Sequence, residues 1–480
     1  MGAEPQVVYG VAETEAEQPD PPVDVSAPLQ FTAERLRIWG ARAAFSLVDQ
    51  GLFSGAGFLV NLLLARWLAP DSYGAFAVAF AGFLFTYGLH NALLLEPMSV
   101  FGPSRQGKDL AGYFRAQLVI HGLMVGPLSV VSIVTGLVLW RITPNSPLVG
   151  AIIGVGLALP FILLLWLTRR ICYAVQRPAM AAIGTASYLA FVAAGLLGIR
   201  TSSLLGPFAA FVLMGSGGLL ASVLLILKLG LFSPGVEKSL ATSWRNVWRE
   251  NWGYGRWLLG SALLSSVVTQ AQVFVVSALL GLGAAGVLRA MQLPALLIIQ
   301  VSTATGFLVL PAFAYDFSTG AITRMRQKAI LVTVGISTFA LLLGGATWAF
   351  SGPIERALFS GKYASYAWLM PVLVLMTIAL GPMQGFGMAL RAIRKPKFDL
   401  VSGLLAAPIA MVCAYFGTMR WGLAGAAWSF VIGFAIQAAV ATLYFSRLVS
   451  SAGMPGEKPA LAPGSDQDDW PSRARDKREK

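Results

Sequence analysis

Charge is what this chain lacks most. Only 12% of its 480 residues are Asp, Glu, Lys or Arg, roughly half the share of an ordinary soluble domain. Hydrophobic residues make up 56% and mean hydropathy is +0.70, which excludes a water-soluble globular protein of this size. Cysteine and histidine are nearly absent, with two residues of each. Cys172 and Cys413 stand apart in apolar surroundings without a CxxC spacing, so they read as small core hydrophobes. His90 and His121 have no further ligands beside them in sequence, so no metal centre is expected. No Walker A, HExxH or GxSxG sequence occurs, which removes the usual signatures of nucleotide hydrolysis and covalent catalysis. The reading is of a protein that is not an enzyme and needs no cofactor. The first 30 residues are polar, acidic and Pro-rich (Glu13, Glu15, Glu17, Pro19, Pro21, Pro22) and do not read as a cleavable signal peptide.

What is present is long, uncharged and repeated. Twelve apolar stretches run over 43–65, 75–95, 116–140, 148–168, 179–199, 201–227, 257–280, 290–313, 329–350, 366–390, 400–419 and 421–446. Each has about 20 residues or more, enough to cross about 30 Å of hydrocarbon as a helix. The basic residues between them alternate. Twenty-eight of the 35 Lys and Arg lie in the tails and the even-numbered links, and seven (Arg66, Arg141, Arg200, Arg289, Arg356, Lys362, Arg420) in the odd-numbered ones. The positive-inside rule then places both termini in the cytoplasm of a bacterial inner membrane. The net charge of +13 belongs to loops facing anionic headgroups, which makes membrane lipids the partner and excludes nucleic acid.

The expected fold class is therefore an all-α polytopic membrane protein. Its organisation reads as a disordered cytoplasmic tail (1–34), a six-helix lobe (35–227), a cytoplasmic amphipathic linker (228–256), a second six-helix lobe (257–447) and a second disordered tail (448–480). In the linker, Trp244, Val247, Trp248 and Trp252 share one helical face, with Arg245, Arg249 and Arg256 on its flank, as in a helix lying in the headgroup region. The lobes echo each other: Gly286 matches Gly74, and Arg394-Lys395-Pro396 matches Gln176-Arg177-Pro178. Each lobe has an even number of spans, so the repeat is parallel, with its axis along the membrane normal.

Polar residues inside these segments are the candidate site. Asp49 is the one carboxylate within the apolar stretches as bounded above, and Arg42, Ser46, Asp49, Gln50, Ser54, Gly57 and Asn61 share a helical face about 140° wide. Ser261, Ser265, Thr269 and Gln272 form a stripe on the seventh segment, and Arg289, Gln292, Gln300 and Thr303 one on the eighth. Such stripes line a polar cavity or hold the bundle together by interhelical hydrogen bonds. Glu96 is a gate, a proton site or the partner of a nearby Arg. His90 is a protonation site or a neutral packing residue. Arg391 and Arg394 either meet an anionic substrate or orient the chain.

The stretch from Asp49 to Pro103 resembles the opening of bacterial polysaccharide or O-antigen flippases of the MOP superfamily, which also holds the MATE exporters and the lipid II flippase. Asp49-Gln50-Gly51-Leu52-Phe53-Ser54, Asn61, Leu64-Ala65-Arg66, Pro70, Tyr73-Gly74-Ala75-Phe76 and Glu96-Pro97-Met98 carry the likeness, joined by Leu390-Arg391-Ala392 to Lys395-Pro396. The resemblance implies two six-helix lobes in a V around a central cavity. It further implies movement of an undecaprenyl-pyrophosphate-linked oligosaccharide, coupling to a proton or sodium gradient, and work beside polysaccharide polymerase or export machinery. The alternative within the superfamily is a MATE-like small-molecule exporter. Few arginines lie deep in the segments, so Arg66, Arg289 and Arg391 near helix ends are the anion-binding candidates.

Overall fold

A computed structural model describes residues 33–103, 105, 107–232, 243–393 and 397–452. Most of both tails, Lys238 and the Arg394-Lys395-Pro396 junction lie outside the described residues. Every described element is helical. The first half contains α1 (Ala33–Trp67), α2 (Pro70–His90), a π-helical turn (Asn91–Leu95), α3 (Glu96–Phe101), α4 (Gly107–Ile142), α5 (Pro147–Ala174), α6 (Pro178–Ile199) and α7 (Pro207–Leu229). The second half contains α8 (Trp244–Leu280), α9 (Leu282–Met291), α10 (Leu293–Ser318), α11 (Ile322–Ala349), α12 (Ser351–Phe359), α13 (Leu369–Leu375), α14 (Leu380–Ala392), α15 (Lys397–Trp421) and α16 (Leu423–Ala452). Twelve of the described helical stretches are long and apolar enough to cross a membrane, so this is a multi-pass membrane protein with both ends of the bundle's chain on one face.

The helix starts follow local chemistry. Pro70, Pro147, Pro178 and Pro207 each occupy the first helical position, where a missing N–H costs nothing and φ is already set. Apolar side chains cover the outside: Leu227, Leu331, Leu342 and Trp348 are each more than two-thirds exposed. Such a surface suits lipid tails and not water. Where helices meet, small residues let backbones approach, as at Gly154 and Gly215 between α5 and α7. Pro160 leaves the Gly156 carbonyl without its helical donor, and Ser129 Oγ of α4 supplies one at 2.6 Å.

The amphipathic linker stretch is part of a spanning helix. Residues 244–256 form the first turns of α8, with Val247 and Asn251 buried against the first half and Trp244, Trp252 and Trp257 exposed. Indoles on a helix entering the bilayer sit naturally at headgroup level. α8 straddles the halves. It packs on α2, the π-helical turn, α3 and α4 of the first half and on α15 and α16 of the second.

The halves are joined most closely where α2 crosses α9. A methyl group added at Gly74 would lie inside contact distance of the Leu282 carbonyl, and one at Gly286 would sit 2.5 Å from the Pro70 carbonyl oxygen. The contact is reciprocal, with 212 residues separating Gly74 from Gly286 and Pro70 from Leu282. Two residues matched by the sequence echo therefore face each other, each under the carbonyl at the start of the other's helix. Only glycine allows this approach without moving the backbones apart.

Candidate functional site

The polar face of α1 is divided among three sets of partners. Asp49 is fully buried and turns into the first half. Arg169 of α5 binds it with Nε at 3.3 Å and Nη2 at 2.7 Å, Tyr173 donates its hydroxyl at 2.6 Å, and Thr185 of α6 donates a fourth bond. The Arg169 guanidinium also lies 3.8 Å from the centre of the Phe53 ring. This carboxylate is saturated, its charge matched by a cation, and it pins α1 to α5 and α6. Its partner is Arg169 and not Arg42. The apolar stretch ends at 168, which places Arg169 in a link, but α5 continues to Ala174 and buries it against its neighbours.

One turn on, α1 faces the second half. Gln50 donates to Ser54 Oγ at 3.3 Å, and Ser54 donates to Gln300 Oε1 of α10 at 2.7 Å. All three side chains are half-buried. Together with Thr303, which bonds its own backbone at Ile299, they form a polar seam between the halves in mid-helix. Further along, Asn61 accepts from the Tyr73 hydroxyl at 3.4 Å, and its amide donates to the Gly57 carbonyl at 2.9 Å. Tyr73 in turn lies within electrostatic reach of Arg289 on α9.

Arg289 is the least compensated charge in the seam. It is buried, its guanidinium stacks 5.8 Å over Phe80, one nitrogen donates to Gln292 at 3.0 Å, and Nε has no partner. None of its described partners is a carboxylate. An isolated guanidinium in a low-dielectric site is costly and is typical of a place that meets an anion. Gln272 of α8 is fully buried with both amide atoms unpartnered. Ser261, Ser265 and Thr269 do not follow it into the interior, and Thr269 bonds the Ser265 carbonyl of its own helix.

Besides Arg66, the remaining candidates are Arg391, Glu96 and His90. Arg391 forms a two-pronged pair with Asp399 at 2.8 and 3.0 Å. Glu96 accepts from Asn91 at 3.4 Å, has no described ion pair within 4 Å, and lies within electrostatic reach of Arg391 across the halves. His90 and His121 meet each other, with Nε2 and Nδ1 3.0 Å apart. Among the described residues no group of three or more His, Cys, Asp and Glu is placed to hold a metal ion.

On the face opposite the chain ends, Arg66 and Lys362 close the seam. The last turn of α1 leaves carbonyls without intrahelical donors. Lys362 Nζ donates to three carbonyls there, those of Ala65 (3.1 Å), Arg66 (2.6 Å) and Leu68 (2.7 Å). The Tyr363 hydroxyl reaches Ala65 as well, and Arg66 reaches back to the Ala357 carbonyl at 3.2 Å. A left-handed pair, Ser360 and Gly361, turns the chain after α12, and buried Glu355 fixes the turn by accepting the Tyr363 N–H at 2.8 Å. Burial pulls the Lys362 ammonium below its ordinary pKa. Asp316, paired with Lys328 at 2.7 Å, is a buried carboxylate outside the apolar stretches because α10 runs past the end of its stretch, and Glu355 is a second, on the short helix α12 that follows a spanning helix.

No protein-family model matches the chain, and no curated protein matches it by sequence. Solved structures do match. The inward closed conformation of the lipid II flippase MurJ aligns with a TM-score of 0.69 at 12% identity, covering 84% of this chain and 87% of that one. An inward-facing multidrug resistance MATE family transporter of the MOP superfamily aligns at 0.67 and 14%, covering 86% and 100%. The fold is that of the MOP superfamily transporters. Within that superfamily an outward-facing MATE family transporter, at the same 14% identity, aligns less closely, with a TM-score of 0.59 over 86% of this chain and 97% of that one.

Proposed function

We propose that the protein is a flippase for a lipid-linked oligosaccharide, carrying an undecaprenyl-pyrophosphate-linked glycan across the inner membrane for polysaccharide biosynthesis or export. Both termini then lie in the cytoplasm, the closed face is periplasmic, and the glycan enters from the cytoplasmic leaflet. The observation that carries this reading is Arg289. It is a buried cation on the seam with an unpartnered Nε and no described carboxylate partner, placed where a diphosphate would need recognition. Gln50, Ser54 and Gln300 mark a polar route along the same seam. The proton or sodium coupling and the polymerase or export partners expected from the resemblance belong to this reading.

The alternative, a MATE-like exporter of small cations, would need free negative charge on the seam. Asp49 spends its charge on Arg169. The described carboxylates that lie between the halves are Glu96 (within electrostatic reach of Arg391), Asp71 (beside Gly283 of α9) and Glu250 (paired with Arg105).

Deleting the gene in its host is expected to hold the lipid-linked precursor in the cytoplasmic leaflet and deplete a surface polysaccharide. Arg289→Met, of similar length but uncharged, should leave folded protein in the membrane and fail to complement. Normal surface glycan in the deletion strain, or cationic-dye efflux conferred by the wild type, would defeat the flippase reading.

A further inference from the structure

An unbroken run of aromatic rings leads away from Arg289, whose guanidinium lies 5.8 Å over Phe80. Phe80 stacks on Phe83 with centroids 5.6 Å apart, and Phe83 stands 6.1 Å from Trp166 of α5. Trp166 meets Tyr87 of α2 at 3.8 Å and Phe53 of α1 at 4.9 Å. Of these rings Phe83 is buried, whereas Phe80, Tyr87, Trp166 and Phe53 are each half-buried. By contrast Phe76 and Phe211, which pack α2 on α7, are closed off entirely. Apolar rings left accessible in this way mark a place that a ligand or lipid can cover. The register of the helices decides which.

The rings open on the seam. On α2, Tyr73, Phe80 and Tyr87 recur every seven residues and so share a face within about 40°. Tyr73 shows where that face points. Its hydroxyl bonds Asn61 of α1, and it lies within electrostatic reach of Arg289. On α1, Phe53 projects between Asp49, which turns into the first half, and Gln50 and Ser54, which turn to α10. α1 packs chiefly on α6, and α2 on α5, α8 and α9. The two consecutive helices therefore separate, and the Trp166 indole bridges them.

The run changes chemistry along its length as a lipid-linked glycan does. At one end Arg289 offers a charge with an unmet Nε. The rings offer flat faces of negative quadrupole, which attract the weakly positive C–H groups of a sugar ring. At their border Gln50, Ser54 and Gln300 supply amide and hydroxyl groups, which sugar hydroxyls meet as donors or acceptors. Arg169, against Phe53, is bonded to Asp49 and brings no free charge. Mostly apolar walls with a few placed polar groups are the usual make-up of a small-molecule site. From Phe80 to Tyr87 the run covers about 10 Å along α2, room for a short oligosaccharide.

We propose that the aromatic run from Phe80 to Phe53, with Trp166 at its centre, is a subsite for the glycan of the transported lipid. The sugar rings stack on it while the diphosphate meets Arg289. Its ligand is a pyranose glycan whose C–H face is not interrupted by charged groups. This assignment rests on the flippase reading and adds the part of the substrate that distinguishes one lipid diphosphate from another.

The test compares two lipids on the full chain in nanodiscs. One is the lipid-linked glycan that collects in the deletion strain, and the other is undecaprenyl diphosphate without sugar. Wild type should bind the glycan-bearing lipid about tenfold more tightly, the contribution of one or two ring contacts. Trp166→Leu, which keeps an apolar side chain, should bring that ratio to about one. Tyr87→Leu, on another helix, should lower it in the same direction. Arg289→Met should weaken binding of both lipids and keep the ratio, a separation that a general loss of structure would not produce. Equal binding of the two lipids by wild type overturns the inference whether or not the variants fold. An undiminished ratio in folded Trp166→Leu overturns it as well. Binding of neither lipid by wild type would instead strike the flippase reading, and the subsite with it.

Discussion

At the residue scale, Asp49 shows why a buried charge is judged by its partners. It receives bonds from Arg169, Tyr173 and Thr185 across two other helices. Asp49→Asn keeps the size but leaves Arg169 as a buried cation without a counter-charge, a loss of roughly 3–5 kcal/mol when one partner of such a pair is removed. The expected result is a lower unfolding temperature and less folded protein in the membrane. The double variant Asp49→Asn/Arg169→Met should recover most of that loss, because it removes the orphaned cation. Thermal unfolding of the purified variants checks this, and a double variant no better than the single would show that the pair is not the cause. Arg289 is the opposite case. It already lacks a carboxylate partner, so Arg289→Met should leave thermal stability unchanged or raised while abolishing complementation.

At the element scale, two devices hold the halves together. One is the α2–α9 crossing. Gly74→Ala or Gly286→Ala places a methyl against backbone on the partner helix, an overpacking that costs about 1–3 kcal/mol. Both act on one contact, so their combined effect should fall short of the sum, which double-mutant thermal unfolding measures. The other device is Lys362, whose ammonium caps the carbonyl end of α1 from the far half. Lys362→Met removes charge-assisted bonds with a net worth of about 1.5 kcal/mol or more, enough to shift a two-state equilibrium about tenfold. A cysteine placed at Ala285, fully buried on α9, should then react faster with an impermeant maleimide in Lys362→Met than in the same protein with Lys362 intact. Equal rates would mean that the α2–α9 crossing closes this face by itself.

At the scale of the whole molecule, the test is topological. If basic residues set the orientation, a cysteine at Asn145, exposed between α4 and α5, should be labelled from outside intact spheroplasts. One at Arg324, exposed at the start of α11, should be labelled only after permeabilisation. The reverse pattern would invert the proposed direction of transport. The fold itself was legible in the sequence because lipid leaves the backbone few options: a run of about 20 uncharged residues must form a helix to satisfy its own N–H and C=O groups. Span boundaries were less legible. α8 and α10 carry polar or charged residues beyond the apolar runs, Asn251 and Asp316 among them, because neighbouring helices shelter those groups.

By itself the sequence determined the twelve spans, the alternation of charge and the polar faces of α1 and α10, all of which follow from local composition and helical period. It also brought Gly74 and Gly286 into correspondence, though not into contact. Only the tertiary structure decided which polar group meets which. Arg169 turns out to serve Asp49 over 120 positions, Gln300 reaches Ser54 over 246, and Lys362 reaches the end of α1 over more than 290. The pairing of His90 with His121 has no sequence signature, since 31 residues separate them across two helices. Such partners are selected by the depth at which each helix places a side chain and by the face it turns inward, and both are set by packing between helices.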